Sequence, residues 1–177
     1  MSRRISSSES AVVSRAERDI RSRLEGYELD FRSMSAVSNI YRAGSAVRNH
    51  MERTVLSDHD LSWVAFTVLW VLWIWGDQET GHVAAEAGVT KGTLTGVIKT
   101  LQGRRLIRRL PHRDDRRRVS IGLTRAGTRL IESVFPEFNR HETLAVNGLT
   151  RAEQDELARL LRKVLATMSA DDSSGDD

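Results

Sequence analysis

Residues Arg104 to Thr124, RRLIRRLPHRDDRRRVSIGLT, concentrate the charge of this chain in a pattern that points to one kind of chemistry. Pro111 to Arg118 holds a proline, a histidine, two aspartates and four arginines. From Lys99 through Arg118 there are nine Lys or Arg against Asp114 and Asp115, a local charge of +7 in a chain of net +3. Guanidinium groups at that density repel one another unless a polyanion neutralises them, and the natural polyanion is a phosphate backbone. For this segment taken alone, a solvated surface loop is the competing reading.

The elements that must carry this loop are legible from spacing. Leu106, Ile107 and Leu110 supply apolar residues before it. After it Val119, Ile121 and Leu123 alternate with Ser120 and Gly122, the period-2 signature of a half-buried strand. The pattern predicts a two-strand hairpin with an arginine-loaded tip. Upstream, Thr80 to Ala87 reads as a short helix stopped by Gly88 in the left-handed conformation, and Thr90 as the N-cap of the next helix, to about Gln102. In that helix Leu94, Val97, Ile98 and Leu101 form a buried face. Lys91, Thr95 and Lys99 lie opposite, with Gly92 and Gly96. Helix, glycine turn, polar helix and basic hairpin together make a winged helix-turn-helix.

The flanks are helical. Val13, Ala16, Ile20, Leu24, Tyr27 and Phe31 form one apolar stripe, and Val37, Ile40, Tyr41, Gly44, Val47, Met51 and Val55 a second. These are two helices or one bent helix, with breaks at Gly26 or at Ser33–Ser35. Asp58 or Asp60 is the expected cap of a helix over Leu61–Trp75, apolar nearly all round. Its Trp63, Phe66, Trp70 and Trp73, at steps of three, four and three, read either as core packing or as the wall of a pocket for a flat ligand. Beyond the hairpin, Thr124 or a neighbour starts a helix that Pro136 should bend or interrupt. Thr150 with Glu153 makes a capping box for a final helix bearing Leu157, Leu160, Leu161, Val164, Leu165 and Met168. Narrow stripes on long helices want a second copy of the chain as partner.

The expected organisation is mainly α with a small β-wing. Residues 1–10 form a disordered leader, 11–57 N-terminal dimerisation helices and 58–124 the winged helix-turn-helix lobe. C-terminal dimerisation helices follow over 125–169, and a disordered acidic tail over 170–177. Cysteine is absent, which excludes disulfides, thiolate metal sites and thiol redox sensing. The polar first ten residues contain no apolar leader core. The apolar run Leu61–Trp75 is 15 residues, short of the roughly 20 that span a bilayer. A soluble, cytoplasmic protein without membrane partners is expected. The five histidines (His50, His59, His82, His112 and His141) have no metal-binding spacing, and neither a phosphate loop nor a nucleophile elbow occurs. No enzyme activity, metal or cofactor is expected.

In three places the sequence resembles the MarR family of bacterial transcription regulators. They are Leu61–Leu72, the helix-turn-helix VAAEAGVTKGTLTGVIKTL (Val83–Leu101), and DRRRVSIGLTRAG (Asp115–Gly127), similar to the family's wing signature. The resemblance implies a symmetric homodimer bound to a pseudo-palindromic operator in double-stranded DNA, usually as a repressor of adjacent genes. It implies that Arg117 enters the minor groove and that Asp115 orients it, with Arg113, Arg116 and Arg118 alongside on the wing. Thr90, Lys91, Thr93, Thr95 and Lys99 match the part of the recognition helix that meets phosphates and base edges. It also implies a small, often aromatic or phenolic ligand. Trp63, Phe66 and Trp70 would supply flat walls, and Arg48 or His50 a partner for a carboxylate.

Two departures stand out. Arg105 occupies a position usually held by glycine, so either it adopts positive φ at a cost on the order of 1 kcal/mol, or Gly103 takes over the turn. Gly96 replaces a larger recognition-helix residue, which shifts expected binding toward the wing and backbone. The alternative function is a winged-helix module for protein contacts or non-specific DNA binding, without ligand response.

Overall fold

The computed structural model describes residues 15, 17–111 and 119–173. Residues 17–23 form α1. There follow α2 (Phe31–Met51), a π-helical turn (Glu52–Leu56), a 3-10 turn (Ser57–His59), α3 (Trp63–Trp75), β1 (Gln78–Glu79), α4 (Thr80–Glu86) and α5 (Lys91–Gly103). The remainder is β2 (Ile107–Pro111), β3 (Val119–Leu123), α6 (Arg125–Ala145) and α7 (Arg151–Ser173). The chain divides into two compact units, Ala36–His141 and the pair of terminal segments Met1–Ser35 with Glu142–Asp177. The mainly helical chain with one small antiparallel sheet agrees with the fold class expected. Among the described residues no single helix is long and apolar enough to cross a membrane.

In the terminal unit, the break between the first two helical stripes falls at Gly26, which has φ +98°. Ser33–Ser35, the other expected break, lies inside α2. The reason is local. Asp30 Oδ1 accepts from the backbone N–H of Arg32 (3.0 Å) and Ser33 (3.1 Å), so Ser33 belongs to the cap that starts the helix. The Ser33 hydroxyl also donates to Asp30, and this bond is the main cause of a carboxyl pKa below the ordinary aspartate value.

The capping box is present: Thr150 Oγ1 accepts from Glu153 N (3.3 Å), while Glu153 Oε2 accepts from Thr150 N (2.7 Å). That backbone bond, with one from the Thr150 hydroxyl, holds the Glu153 carboxyl below its usual range. The cap therefore strengthens α7 above the unfolded glutamate pKa, and this contribution fades as pH falls through the folded value. The helix runs to Ser173, into the segment expected to be disordered from Ala170. Once nucleated, a helix extends at little cost per residue, and the apolar positions before Ala170 carry it forward.

The Ala36–His141 unit is organised around α3, where Ala65, Phe66, Val68, Leu69, Val71 and Leu72 are all buried. Each large apolar side chain so placed contributes roughly 1.5–3 kcal/mol relative to exposure. Neither Asp58 nor Asp60 caps this helix. Ser62 does, with its extended backbone and its hydroxyl accepting from Ala65 N at 3.2 Å. Asp60 stands two residues too early and sits in the left-handed region (φ 52°), ending the 3-10 turn. Glu52 Oε1, from the π-helical turn, accepts the Trp63 N–H at 2.8 Å and completes the start of α3.

Helices α4 and α5 are joined as the sequence indicates. Gly88, at φ +61°, ends α4, with Val89 N donating to Ala84 O and Gly88 N to Ala85 O. Thr90 then caps α5 through Thr93 N. The same turn closes α5, but on a non-glycine residue. Arg105 adopts φ +57°, Arg105 N donates to Gln102 O and Leu106 N to Leu101 O, both at 2.9 Å. Gly103 stays inside α5, so it has not taken over the turn. The first departure thus resolves in favour of a left-handed arginine.

The hairpin is antiparallel as expected, pairing Ile107 with Leu123 through Pro111 with Val119. It gains a third strand, β1, on the far side of β3, giving the order β1-β3-β2. At two residues β1 is too short to produce any periodicity. The expected alternation on β3 holds for Ile121, which is fully buried, but Gly122 is buried as well. Thr124 caps α6 by accepting from Gly127 N at 3.1 Å. Pro136 does not interrupt α6, which runs from Arg125 to Ala145. A proline removes one backbone donor, while the buried Val134 and Phe138 on either side anchor the helix across the defect. Arg105→Gly should relieve the left-handed strain and raise stability by about 1 kcal/mol, a melting shift of about 2–4 °C by calorimetry.

Candidate nucleic-acid interface

Helix α5 has two faces. Leu94, Ile98 and Leu101 are buried against the core, and Lys91, Gly92, Thr93, Thr95, Gly96 and Lys99 are exposed. Of the predicted recognition residues, Thr90, Lys91 and Thr93 lie at the N-terminal end, Thr95 and Lys99 continue the exposed face that Lys91 begins, and Thr93 lines the other side with Gly96 and Thr100. Thr90 and Thr93 are also structural, with hydroxyl oxygens 3.1 Å apart in the cap. Thr95 Oγ1 donates back to the Lys91 carbonyl at 2.8 Å, leaving its lone pairs outward. A Cβ added at Gly96 would meet nothing within 4 Å.

The predicted wing residues Arg113, Asp115, Arg116, Arg117 and Arg118 lie outside the described residues, as does His112. The arginines at the base of the hairpin are placed, and they hold the protein together. Arg104 donates to the carbonyls of Asp60 (2.6 Å) and His59 (2.9 Å), tying the end of α5 to the turn before α3. Arg109 donates from Nε to Gln102 Oε1 at 3.2 Å, linking β2 to α5. Arg108 bonds both carboxylate oxygens of Asp77, at 3.2 and 3.1 Å. Charge counting along the sequence assigned these cations to a polyanion, because it could not see the partners of Arg104 and Arg108, 31 to 45 residues away.

The predicted ligand residues are only partly brought together. Arg48 and Trp63 line one groove of about 280 Å³ with Ile40, Tyr41, Gly44 and Ser45. Phe66 is core: its ring stacks on Phe138 with centroids 4.1 Å apart. Trp70 meets the edge of Trp75, and Trp73 packs on Phe135. Residues spaced three or four apart share a helix face, but that face is wide enough for neighbouring rings to pack on different partners. His50 turns away from the groove, with its Nε2 2.8 Å from His141 Nδ1. Of the groove residues on α2, Ile40, Tyr41 and Gly44 were read in the sequence as stripe positions, and Ser45 was not singled out. Nothing in their spacing separated the two roles. Among the described residues no group of three or more His, Cys, Asp or Glu is arranged to hold a metal ion.

A buried helix, a helix-turn-helix with an exposed second helix, and an antiparallel hairpin sealed by a third short strand define a winged helix-turn-helix protein. The MarR family model matches residues 61–119, from two residues before α3 to the first residue of β3. A helix-turn-helix transcriptional regulator of Bacillus subtilis, YwaE, is 40% identical over 136 residues, covering 77% of this chain and 80% of its own. The chain belongs to the MarR family of transcription regulators.

Solved structures agree. Bordetella bronchiseptica BpsR, described for regulation of its DNA binding by 6-hydroxynicotinic acid, superposes with TM-score 0.68 at 28% identity. That match covers 73% of this chain and 97% of BpsR. Streptomyces coelicolor Sco3205, solved in complex with DNA, shares the fold at TM-score 0.72 and 21% identity, over 80% of this chain and 90% of its own. Because Gly96 sits on an open helix face, Gly96→Ala should stabilise the protein by about 1 kcal/mol in denaturant unfolding.

Proposed function

We propose that this protein is a homodimeric, sequence-specific DNA-binding repressor of adjacent genes, released by a small aromatic ligand. The observation that carries the reading is the open polar and basic face of α5, held beside a hairpin whose tip sequence is arginine-rich. Two such helices would enter successive major grooves about one helical turn (~10 bp) apart, with wings in the flanking minor grooves. Arg117 is the residue assigned to the minor groove, with Asp115 orienting its guanidinium. Arg113, Arg116 and Arg118 add phosphate contacts. A narrow minor groove concentrates negative potential and favours a guanidinium there.

The dimerisation helices are residues 11–57 and 125–169, and the DNA-binding lobe is 58–124. Leu157, Leu160, Val164, Leu165 and Met168 support the self-association, since they leave a long apolar stripe of α7 exposed. Such a stripe in water favours a covering partner. The ligand reading is supported by the groove that holds Arg48 beside Tyr41 and Trp63, a cation with two aromatic rings. A flat carboxylic acid matches that chemistry, and BpsR responds to a molecule of this class. Such a ligand would act by favouring a lobe spacing that no longer fits the groove repeat.

Two outcomes are expected. Arg117→Ala should weaken binding to a duplex selected from genomic fragments at least tenfold in gel shift, with an unchanged melting temperature. Equal affinity would reject the wing assignment. Titration with salicylate and 6-hydroxynicotinate should quench tryptophan fluorescence saturably and release the duplex. Both effects should be lost in Arg48→Ala, and a flat titration with either acid would remove this ligand class.

A further inference from the structure

We propose that Asp77 and Arg108 are positioning residues for the wing, forming a clamp across the sheet that sets the direction in which the hairpin leaves the core. Three observations meet here. First, the register of β1 on β3 pairs Gln78 with Ile121 and Glu79 with Ser120, so Asp77 stands next in line opposite Gly122. Second, β2 pairs Arg108 with Gly122. Asp77, Gly122 and Arg108 therefore form one row across the three strands, with the glycine in the middle.

Third, Gly122 lacks the side chain that would separate the two ions. A Cβ there would overlap the Asp77 carboxylate and approach the Arg108 guanidinium at 3.3 Å. The charged groups meet over the bare backbone of β3, where Arg108 Nη2 reaches both Asp77 carboxylate oxygens at 3.1 and 3.2 Å, and Arg108 Nε donates to the Leu123 carbonyl at 3.3 Å. With one nitrogen on the carboxylate and another on a backbone carbonyl, the guanidinium is held in orientation as well as distance, and its bond to the carboxylate is charge-assisted.

Asp77 is well placed to transmit rigidity. It follows Gly76, whose N–H closes the last turn of α3 on Leu72 O at 3.1 Å, and Gln78 donates to the Trp75 carbonyl. The carboxylate is thus tied to the end of the central core helix. The strand it grips runs directly into the arginine tip. A hairpin joined only to its own partner strand is free to rotate at its base. Gripping β2 from the far edge removes that freedom.

The inference rests on the reading that the wing enters DNA, and the experiment separates the two. The full chain and its Asp77→Asn, Arg117→Ala and doubly substituted Asp77→Arg/Arg108→Asp variants are compared on two probes. One is a duplex selected from a random pool by the unmodified protein, the other an unselected duplex of equal length. Electrostatics alone predicts that Asp77→Asn binds both more tightly, because it removes a negative charge beside a polyanion. The clamp predicts the opposite on the selected duplex, at least fivefold weaker binding, with affinity for the unselected duplex unchanged or higher. The charge swap should recover most of the loss, and melting temperatures should move little.

Unchanged or tighter binding of the selected duplex by Asp77→Asn, while Arg117→Ala weakens it, overturns the clamp alone. Equal weakening on both duplexes with a lowered melting temperature also overturns it, in favour of a structural role. If Arg117→Ala leaves the selected duplex unaffected, the wing reading falls and the clamp with it.

Discussion

The backbone of Leu106 is the joint on which the DNA-binding lobe depends. Its N–H donates to Leu101 O and seals the end of α5. Its carbonyl accepts from the N–H of Thr124 at 3.0 Å and from the Thr124 hydroxyl at 3.2 Å, the residue that caps α6. Gly127 packs so close that a Cβ there would collide with the same carbonyl oxygen. Helix α5, the hairpin and α6 therefore converge on one peptide unit. The left-handed Arg105 immediately before it is the cost of turning the chain through that joint. The Leu106 and Leu101 side chains, both buried, hold the turn from within.

Around this joint three arginines serve the lobe itself. Arg104, Arg108 and Arg109 reach backward, to the carbonyls of His59 and Asp60, to Asp77 and to Gln102. Each bond links the base of the hairpin or the end of α5 to a different part of the lobe. Guanidinium suits this work, because its rigid fork of donors satisfies two acceptors at once and keeps its charge in any surroundings. Charge near the base thus serves the shape of the lobe, and Lys91 and Lys99 remain on the open face of α5 for a partner.

The aromatic residues of α3 show how a single stripe divides its roles. Phe66 completes the core against Phe138, while Trp63 makes a tilted contact with the same ring at 5.9 Å and keeps part of its surface on the groove beside Arg48. His50, two residues beyond Arg48, bonds His141 on α6 instead. A bond between two imidazole nitrogens needs one proton between them, so it ties α2 to α6 only while one ring accepts. The groove is therefore built from α2 and the first residue of α3, with aromatic and cationic surfaces on adjoining walls.

By itself the sequence determined the features that depend on neighbours within a turn or a strand. The Gly88 turn, the Thr90 cap, the Thr150–Glu153 box, the two faces of α5 and the hairpin all follow from local hydrogen bonding and from the 3.6 and 2 periodicities. The left-handed demand at Arg105 was legible as one of two outcomes. Tertiary structure alone decided which residue took that strain, that Ser62 and not an aspartate starts α3, and that a two-residue strand seals the sheet. It also decided that Arg108 meets Asp77 across Gly122 and that Phe66 belongs to the core. These choices depend on groups far apart in the chain that become neighbours only when apolar burial brings the elements together. No pattern of residue types along the chain encodes such a meeting.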